Sequence, residues 1–453
     1  MVNVNASEIA ETILNIARKY QCGAQVTIVT TDSKDISVRQ SKIERLLTSV
    51  AISTGIRLFK AQKSAIISFS GDDFENIEDR IKTAVEGIDY LGPDDAKRLL
   101  KESEFGAEVK TLELDDNHFE ELKIPEIVDT LTNIETGGLA VDSKLIPSEM
   151  AEFSASRSRV HLFSTEGLAK SYSRSYYSFS YNAVVESEDK SQKEVDSWYE
   201  NKRFFTKLPA SLVSNIGKIA AELALKRLGG KKIKSAELPV TFTSRTATTL
   251  LKLLYYAMDG EAILLRNSFM VDKLGEKLFP DKITIIDDPY IPGYLGSYPF
   301  DGEGMNGITK AAVEKGKLMT YLHNSYSAGK LGMALTGNAS REISSAPGIT
   351  SGNFYLQPGQ GKIEDLLLEM KNGLLVDDLF TSGMNDVTGD FSFGCSGFLV
   401  EKGKIDSPVK EITIAGNVLE LFKNILEIAD DNEYKNAVSS PSFLVSKLAL
   451  AGT

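Results

Sequence analysis

The chain has 453 residues, of which 42% are hydrophobic and 25% charged, a composition typical of soluble globular proteins. One hydrophobic core rarely serves a chain of this length, so we expect two or three domains. The 51 Lys and Arg against 63 Asp and Glu give a net charge of -12, which repels duplex nucleic acid and argues against direct binding to it.

The chain lacks the sequence features of membrane insertion and export. No apolar run approaches the roughly 18 to 20 residues that a membrane helix requires. Glu8 and Glu11 fall where a signal peptide would need apolar residues. We therefore expect a cytoplasmic protein without a membrane span.

Cysteine and histidine are scarce, which limits the metal chemistry available to the chain. Cys22 and Cys395 alone cannot form a disulfide framework or a four-cysteine zinc site. The histidines are only three, at positions 118, 161 and 323, so a site that needs clustered imidazoles must be argued against that count.

The N-terminal part predicts helices packed on one face of an antiparallel sheet. Apolar residues recur at helical spacing from Ile9 to Tyr20, and the runs AQVTIVT, VAISTGIRLF and SAIISFS then alternate as strands do. A second apolar stripe, from Phe74 to Ile88, predicts another helix. This arrangement is typical of an α+β unit.

The middle of the chain predicts an irregular connection, a hairpin and a helix. Residues 94–125 are charged and weakly periodic, and a helix is expected near 125–135. The alternating runs EFSASRSRVHLF and LAKSYSRSYYSFSYNAVV flank Thr165-Glu166-Gly167, which indicates a β-hairpin. The segment from Pro209 to Leu228 predicts a single helix, with Pro in its first turn and Gly after its end.

From Leu238 onward the pattern becomes β-rich. LPVTFT, KITIIDD, GFLVEKGKI and EITIAG are short strand-like runs, whereas SRTATTLLKLLYYAMDG, GKIEDLLLEMKNG and VLELFKNILEIADD predict helices. We therefore predict an α+β fold with an N-terminal helix-plus-antiparallel-sheet domain, residues 1–237, and a β-rich C-terminal domain, residues 238–453.

A glycine pattern in DGEGMNG formally matches the dinucleotide fingerprint. The fingerprint needs a strand that runs into the first glycine, but Gly296 and Pro299 interrupt the approach to Gly302. It also needs an acidic residue about 20 positions further on, and none lies between Glu314 and Glu342. The pattern therefore does not predict a dinucleotide site.

Two patterns that could serve nucleic-acid binding have ordinary structural explanations. The run KRLGGKKIK places five positive charges between Lys226 and Lys234, as expected for a basic last turn of a helix followed by a solvated linker. Tyr177, Phe179 and Tyr181 share one face of a strand, as stacking platforms do, but a hairpin core gives the same pattern.

Two further groups could carry chemistry. Cys395 in FSFGCSGF would be a nucleophile only if a base reached it, and no histidine is adjacent in sequence. Asp287, Asp288, Asp301 and Glu303 surround a strand end and a Gly-rich turn, where they could hold a hard cation or face the amides of a substrate backbone. Asp-Asp-Pro is also a common turn sequence. The motifs GxxxxGK[ST], GxSxG and HExxH are absent.

The order of several longer runs resembles the TldD/TldE family. These are GEAILLRNSFMVDKLGEKLF, ITIIDDP, SYPFDGEG, LTGNASR, SGNFYLQPG, GDFSFGCSGFLVEKGKI and ITIAGN. The helix-strand pattern of the N-terminal part is similar too, so the resemblance covers most of the chain. TldE is also called PmbA, an old name for a modulator of DNA gyrase.

The resemblance implies a cytosolic zinc metalloprotease built from two kinds of subunit. In the TldD-like subunit a helix carries HExxxH, whose histidines bind zinc and whose Glu is the general base, and a Cys near the C-terminus completes the ligands. Aligning the Gly-acid pair after that motif with Gly260-Glu261 places Leu251, Lys252 and Tyr256 in the HExxxH positions. Leu has no lone pair, Lys is a cation, and a single Tyr is a poor substitute for two imidazoles.

The resemblance therefore implies a TldE/PmbA-type subunit that holds no metal and is inactive alone. Zinc is expected in the TldD-like partner, and unfolded proteins or peptides are the expected substrates, bound through contacts along an extended backbone. The candidates for the wall of the substrate channel are Asp287, Asp288, Asp301, Glu303, Asn338, Arg341 and Asn353.

Two alternatives stay open at this point. The chain could be a hydrolase in its own right, with a metal at the carboxylates or with Cys395 as nucleophile. It could also act on DNA gyrase by protein binding, without proteolysis. The family forms dimers, so either a homodimer or a pair with the TldD-like subunit is compatible with the sequence.

Overall fold

The computed structural model describes residues 5–71, 74, 76–106, 112–147, 150–380 and 383–452. Within these ranges the strands form three sheets, one in the N-terminal half and two in the C-terminal half. The predicted α+β class, with a helix-plus-antiparallel-sheet region followed by a β-rich region, is confirmed.

The first sheet has seven strands in the order β3-β2-β1-β5-β6-β4, and β7 pairs with the other edge of β6. Its strands are β1 (Gly23–Arg39), β2 (Lys42–Lys60), β3 (Lys63–Ser70), β4 (Leu145–Ile146), β5 (Ala151–Ser164), β6 (Ala169–Glu186) and β7 (Lys193–Lys202). Every pairing in it is antiparallel, and β5 and β6 form the predicted hairpin around residues 165–167.

Helices cover one face of this sheet. They are α1 (Ala6–Lys19), α2 (Ile77–Ile88), α3 (Ile124–Leu139), α4 (Ala210–Val213) and α5 (Asn215–Arg227). Helices α1 and α2 pack on Val26 of β1, whereas α3 and α5 pack on Val38 of the same strand and on the hairpin. Val26 and Val38 are an even number of positions apart, so the two cores lie on the same face.

The aromatic stripe of β6 belongs to the second of these cores. Tyr177, Phe179 and Tyr181 are fully buried beneath α3 and α5. They are therefore hairpin core residues and do not form a surface for stacking bases. The opposite face of the sheet carries small hydroxyl side chains, such as Thr31 and Ser158, which bond to each other across β1 and β5.

The C-terminal half contains the remaining elements. Its strands are β8 (Ala236–Phe242), β9 (Ile285–Asp288), β10 (Lys310–Glu314), β11 (Lys317–Leu318), β12 (Asn353–Leu356), β13 (Gly373–Phe380), β14 (Asp390–Glu401), β15 (Lys404–Asn417), β16 (Ile425–Ile428), β17 (Val438–Ser439) and β18 (Phe443–Ala451). Its helices are α6 (Ser244–Ala257), α7 (Gly260–Leu264), α8 (Ser325–Leu331), α9 (Ile363–Met370) and α10 (Val418–Lys423).

Five of these strands close into a small barrel. The sheet order β15-β14-β13-β8-β18-β16 is completed by a pairing between β15 and β18, so β8, β13, β14, β15 and β18 form a ring. Closure removes the free edges of these strands. The other sheet, β11-β10-β9-β12-β17, packs with α6 and the barrel into one large core.

The two halves are joined by a buried network of charges. Asp196 of β7 forms ion pairs with Arg227 at the end of α5 and with Arg245 of α6, at 2.7 and 2.8 Å. The guanidinium of Arg227 also contacts Asp377 and Asp378 of β13, at 3.1 and 2.8 Å. The network thus links the seven-stranded sheet to the barrel.

Two predicted helices differ in the structure. The segment 209–228 forms α4 and α5, which meet at Ser214, whose backbone keeps helical angles. The run VLELFKNILEIADD forms only the short helix α10 and then the strand β16, because Ile425 and Ile428 are buried by pairing with β18. Among the described residues, no helix is long and apolar enough to cross a membrane.

Candidate functional site

Helix α6 carries the three positions that the resemblance places at HExxxH. Leu251 is 0% exposed in the central core, whereas Tyr256 is 61% exposed to solvent. The predicted core stripe is present, since Leu250 and Leu254 are buried beside Leu251. The side chains at positions 251 and 256 therefore lie in different environments and do not converge on one point.

Lys252, the remaining HExxxH position, lines a cavity of about 360 Å³ between α6 and the seven-stranded sheet. The ammonium group of Lys435 lies 3.6 Å from the ring centroid of Trp198 in the same wall, and it also pairs with Glu200 at 3.1 Å. Acidic and basic side chains both line this cavity, so its charges are balanced.

Asp287 is fully buried at the end of β9, and each of its carboxylate oxygens has a donor. Lys310 and the side-chain amide of Asn338 each donate to Oδ2 at 2.8 Å, and the backbone N–H of Gly352 donates to Oδ1 at 2.6 Å. The buried amide oxygen of Asn338 has no hydrogen-bond partner among the described residues. Asp287 therefore joins β9 to Lys310 of β10 and to the loops that carry Asn338 and Gly352.

Asp288 and Asn353 fix the turn that follows β9. Asp288 accepts hydrogen bonds from the backbone N–H of Tyr290 at 2.9 Å and from the hydroxyl of Thr309 at 2.7 Å. The side chain of Asn353 donates to the carbonyl of Asp288 and to the hydroxyl of Ser297, at 2.7 and 2.8 Å. These contacts are those of a turn-forming Asp-Asp-Pro sequence.

Asp301 is buried and accepts hydrogen bonds from three backbone N–H groups. They come from Glu303 at 2.9 Å, Met305 at 3.0 Å and Ala339 at 3.1 Å. Burial, followed by the charge of Glu303, raises the pKa of Asp301 to about 7, although the backbone donors act in the opposite direction.

Glu303 links the C-terminal half to the seven-stranded sheet. Its Oε1 accepts from Arg57 of β2 at 3.3 Å and from the hydroxyl of Ser325 at 2.6 Å, and its Oε2 accepts from the backbone N–H of Ser325 at 2.7 Å. A carboxylate at the N-terminus of α8 is also favoured by the helix dipole.

Arg341 is bound by groups around the same loop. Its guanidinium donates to the hydroxyl of Tyr172 at 3.0 Å and to the carbonyls of Phe300 and Asp301 at 3.2 and 3.0 Å. All seven predicted channel residues thus have intramolecular partners, in one group around Asp287 and another around Asp301. Their part in substrate binding stays a prediction.

The glycines of DGEGMNG serve close packing around this loop. A Cβ atom on Gly302 would lie 1.8 Å from the carbonyl oxygen of Ser340, and Gly304 has φ +94. Both positions therefore require glycine for backbone reasons.

Cys395 and the buried histidine do not form a catalytic pair. Burial raises the pKa of Cys395 to about 12, so the thiol stays protonated near neutral pH. The ring of His323 contacts the hydroxyl of Ser327 and the sulfur of Met333, and burial lowers its pKa to about 4. Within the described ranges, no three His, Cys, Asp or Glu side chains are grouped so that they could hold a metal ion.

Sequence reasoning missed the partners of the predicted carboxylates. Lys310 completes the group around Asp287, and Arg57 and Ser325 complete the group around Glu303. Arg57 lies 246 positions from Glu303 in an ordinary alternating strand, so no local pattern indicates the contact. The DGEG turn was the only signal that this loop is buried.

Three family profiles match consecutive parts of the chain. They are described as PmbA/TldA metallopeptidase domain 1 (residues 24–88), central domain (117–228) and C-terminal domain (235–452).

Curated relatives cover nearly the whole chain. The metalloprotease PmbA homolog of Haemophilus influenzae is 31% identical over 440 residues, which is 97% of this chain and 94% of that protein. The metalloprotease PmbA of Escherichia coli O157:H7 is 28% identical, over 98% of this chain and 96% of its own length. A metalloprotease TldD homolog of Buchnera aphidicola is 28% identical over 53% of each chain.

Solved structures share the fold. A crystal structure from Bacteroides thetaiotaomicron, named as a proposed modulator of DNA gyrase, has a TM-score of 0.91 and 24% identity and covers 100% of both chains. TldE of Thermococcus kodakarensis has a TM-score of 0.86 and 21% identity, over 98% of this chain and 100% of its own. The three profiles and the near full-length relatives show that the chain belongs to the PmbA/TldD metallopeptidase family.

Proposed function

We propose that this chain is the TldE/PmbA-type, non-catalytic subunit of a cytoplasmic zinc metalloprotease that processes unfolded proteins or peptides. The observation that carries the proposal is the composition and geometry of α6. The HExxxH positions hold Leu251, Lys252 and Tyr256, of which the first is in the core and the last is exposed. No two of these side chains offer lone pairs that converge on one zinc ion.

The partner in this proposal is a TldD-like subunit that carries HExxxH and the zinc. Its support is that this chain is related to proteins named PmbA and to one named TldD. In such a pair the TldD-like subunit would supply the zinc site, and this chain would supply part of the wall of the substrate chamber. A homodimer of this chain is the competing assembly.

The decisive experiment measures cleavage of an unfolded protein by this chain alone, by the TldD-like subunit alone and by their mixture, each with and without a chelator. We expect activity only in the mixture and its loss with the chelator. A mixture whose TldD-like subunit has Gln in place of the HExxxH Glu should be inactive. Chelator-sensitive cleavage by this chain alone would overturn the proposal.

A stand-alone hydrolase would have to use groups that the structure engages elsewhere. The thiol of Cys395 is protonated near neutral pH, and both Asp287 and Asp301 are saturated with donors. Should purified chain alone show activity, unchanged activity in Asp287→Asn, Asp301→Asn and Cys395→Ala would exclude these residues as its site.

Modulation of DNA gyrase by protein binding is the second candidate function. It is favoured by the names of two structural relatives, which describe proposed modulators of DNA gyrase. Its test is binding of this chain to purified gyrase, and no complex at micromolar concentration would exclude it.

A further inference from the structure

A second cavity, distinct from the one beside Lys252, lies between the hydroxyl-rich face of the seven-stranded sheet and two loops of the C-terminal half. Its volume is about 350 Å³, at the lower end of the roughly 300 to 1,000 Å³ typical of ligand pockets. The described residues that line it are Ser156, Ser158, Arg174, Ser175, Tyr176, Arg203, Leu295, Asn436 and Ala437. None of them is acidic.

Arg203 is the buried charge of this cavity, with 4% of its surface exposed. Its guanidinium donates to three backbone carbonyls, those of Ser175 at 3.0 Å, Tyr294 at 3.3 Å and Leu295. These acceptors are neutral, and Arg203 forms no ion pair among the described residues. A buried cation is normally compensated by an anion, so its charge is left unbalanced here.

Arg174 brings a second positive charge to the same cavity. It lies on the β6 face opposite the helices and is exposed, so a ligand can reach it. In the described part of the chain its side chain has no hydrogen bond or ion pair, whereas that of Arg157 on β5 is paired with Asp115 at 2.6 Å. Burial, followed by the charge of Arg174, lowers the pKa of Arg203 to about 10.

The positive field extends to Tyr172, which lies two positions before Arg174. Although burial acts in the opposite direction, the charges of Arg341 and Arg174, the hydrogen bond from Arg341 and the charge of Arg203 lower the pKa of its hydroxyl. Two guanidinium groups, those of Arg174 and Arg203, therefore line this cavity in a protein whose net charge is -12. Two arginines on a wall without a described acidic residue attract anions that the net charge of the molecule repels.

We propose that this cavity is a subsite for an oxyanion, namely a carboxylate of a peptide ligand, with Arg174 as the contacting group and Arg203 as the buried charge behind it. Guanidinium groups bind carboxylates and phosphates through charge-assisted hydrogen bonds, and the hydroxyl of Ser156 adds a further donor on the wall. That the carboxylate belongs to a peptide rests on the proposed function.

The test measures binding of a fluorescently labelled short peptide to the full chain by anisotropy. The side chains and the N-terminus of the peptide are uncharged, and its C-terminus is a free carboxylate in one version and an amide in the other. We expect the acid to bind about tenfold more tightly than the amide, as a charged hydrogen-bonded contact gives. Inorganic phosphate is added as a competitor in a third arm, and weaker competition by phosphate than by unlabelled peptide acid is expected.

The substitutions are made at Arg174. Arg203 is kept because its guanidinium donates to three backbone carbonyls, and its loss would disturb the fold. Arg174→Ala should abolish the preference for the acid, and Arg174→Lys should retain part of it. Arg39→Ala removes an exposed arginine of the same sheet and should leave the preference unchanged.

Equal affinity for acid and amide, absence of binding by either peptide, or an unchanged preference in Arg174→Ala would each overturn the subsite. Stronger competition by phosphate than by the peptide acid would overturn the assignment to a carboxylate. The assay uses this chain without a zinc partner, so its result is separate from that of the cleavage experiment. Acid preference without cleavage by the mixture would leave the subsite standing and remove the proposed function.

Discussion

Asp301 is the side chain for which the fold most clearly predicts a pH effect on stability. Its folded pKa is about 7, above the value of about 3.9 expected in the unfolded chain. The folded state therefore binds the proton more tightly, and stability decreases as pH rises from about 4 to about 7. Relative to Asp301→Asn, the natural protein should lose up to about 1.4 kcal/mol per pH unit in that window.

Urea unfolding at a series of pH values measures this difference. The Asn variant keeps the size of the side chain but cannot ionise, so the free energy of unfolding should depend less on pH in the variant. Parallel pH dependences in the two proteins would show that the three backbone donors keep Asp301 ionised throughout.

The residues of the candidate site were only partly accessible from the sequence. Asp287, Asp301 and Glu303 stand out because carboxylates in a Gly-rich turn need an explanation, and the structure places two of them in the same loop. Their cationic partners Arg57 and Lys310 come from strands whose alternation gives no sign of a buried ion pair. Contacts made only by tertiary packing leave no local pattern.

Among the elements, α6 carries the proposed function through its packing. Leu251→Ala should reduce the free energy of unfolding by about 2 to 5 kcal/mol, since Leu251 is fully buried in the largest core. Tyr256→Ala, on the exposed side, should change it by about 0.5 kcal/mol or less. Chemical denaturation of both variants gives the comparison, and equal losses would contradict the orientation of α6.

The crossing of α3 and α5 depends on two glycines in contact. A Cβ atom on Gly217 would lie 1.9 Å from the carbonyl oxygen of Ile134 and 3.0 Å from the backbone nitrogen of Gly138. Gly217→Ala must therefore separate the helices and should destabilise by about 1 to 3 kcal/mol or more, as overpacked cores do.

Gly137 on α3 is the matched control for this crossing. A Cβ atom there would meet nothing within 4 Å, so Gly137→Ala should stabilise the protein by about 0.5 to 1 kcal/mol through helix propensity. Thermal unfolding of the two variants measures the contrast. A loss of stability in Gly137→Ala would show that α3 packs more closely than described.

Periodicity was sufficient for elements whose burial is one-sided. The helix α1 and the β5–β6 hairpin follow their predicted runs because one face is apolar and the other polar. The run VLELFKNILEIADD predicts one helix because its apolar residues recur at helical spacing, but the structure has the helix α10 followed by the strand β16. Pairing of β16 with β18 decides between these two arrangements, and that pairing is invisible locally.

The whole molecule combines a sheet covered by helices on one face with a barrel closed by β15 and β18. Composition and the periodicity of apolar residues were enough to predict an α+β half and a β-rich half. Closure of the barrel could not be predicted, because the residues that pair, such as Ile414 and Leu450, lie in strands separated by α10 and β16. The sequence also does not show which Ser and Thr residues of neighbouring strands share a face of the first sheet, because that depends on the register of β1, β5 and β6.

The network around Asp196 supports the last prediction, since it joins the two halves of the molecule. The side chain of Asp196 is 3% exposed and is paired with both Arg227 and Arg245, so Asp196→Ala leaves one buried and one partly buried guanidinium group with less compensation. We expect a loss of about 3 to 5 kcal/mol in the free energy of unfolding, the range for a broken buried pair.

The control variant is Lys232→Ala, which removes an exposed pair with Glu411 and should reduce the free energy of unfolding by about 0.5 kcal/mol or less. Urea unfolding followed by the fluorescence of Trp198, the single tryptophan and a near neighbour in β7, reports on this junction directly. Equal effects of the two substitutions would mean that Asp377 and Asp378 compensate the charges of Arg227 and Arg245 without Asp196.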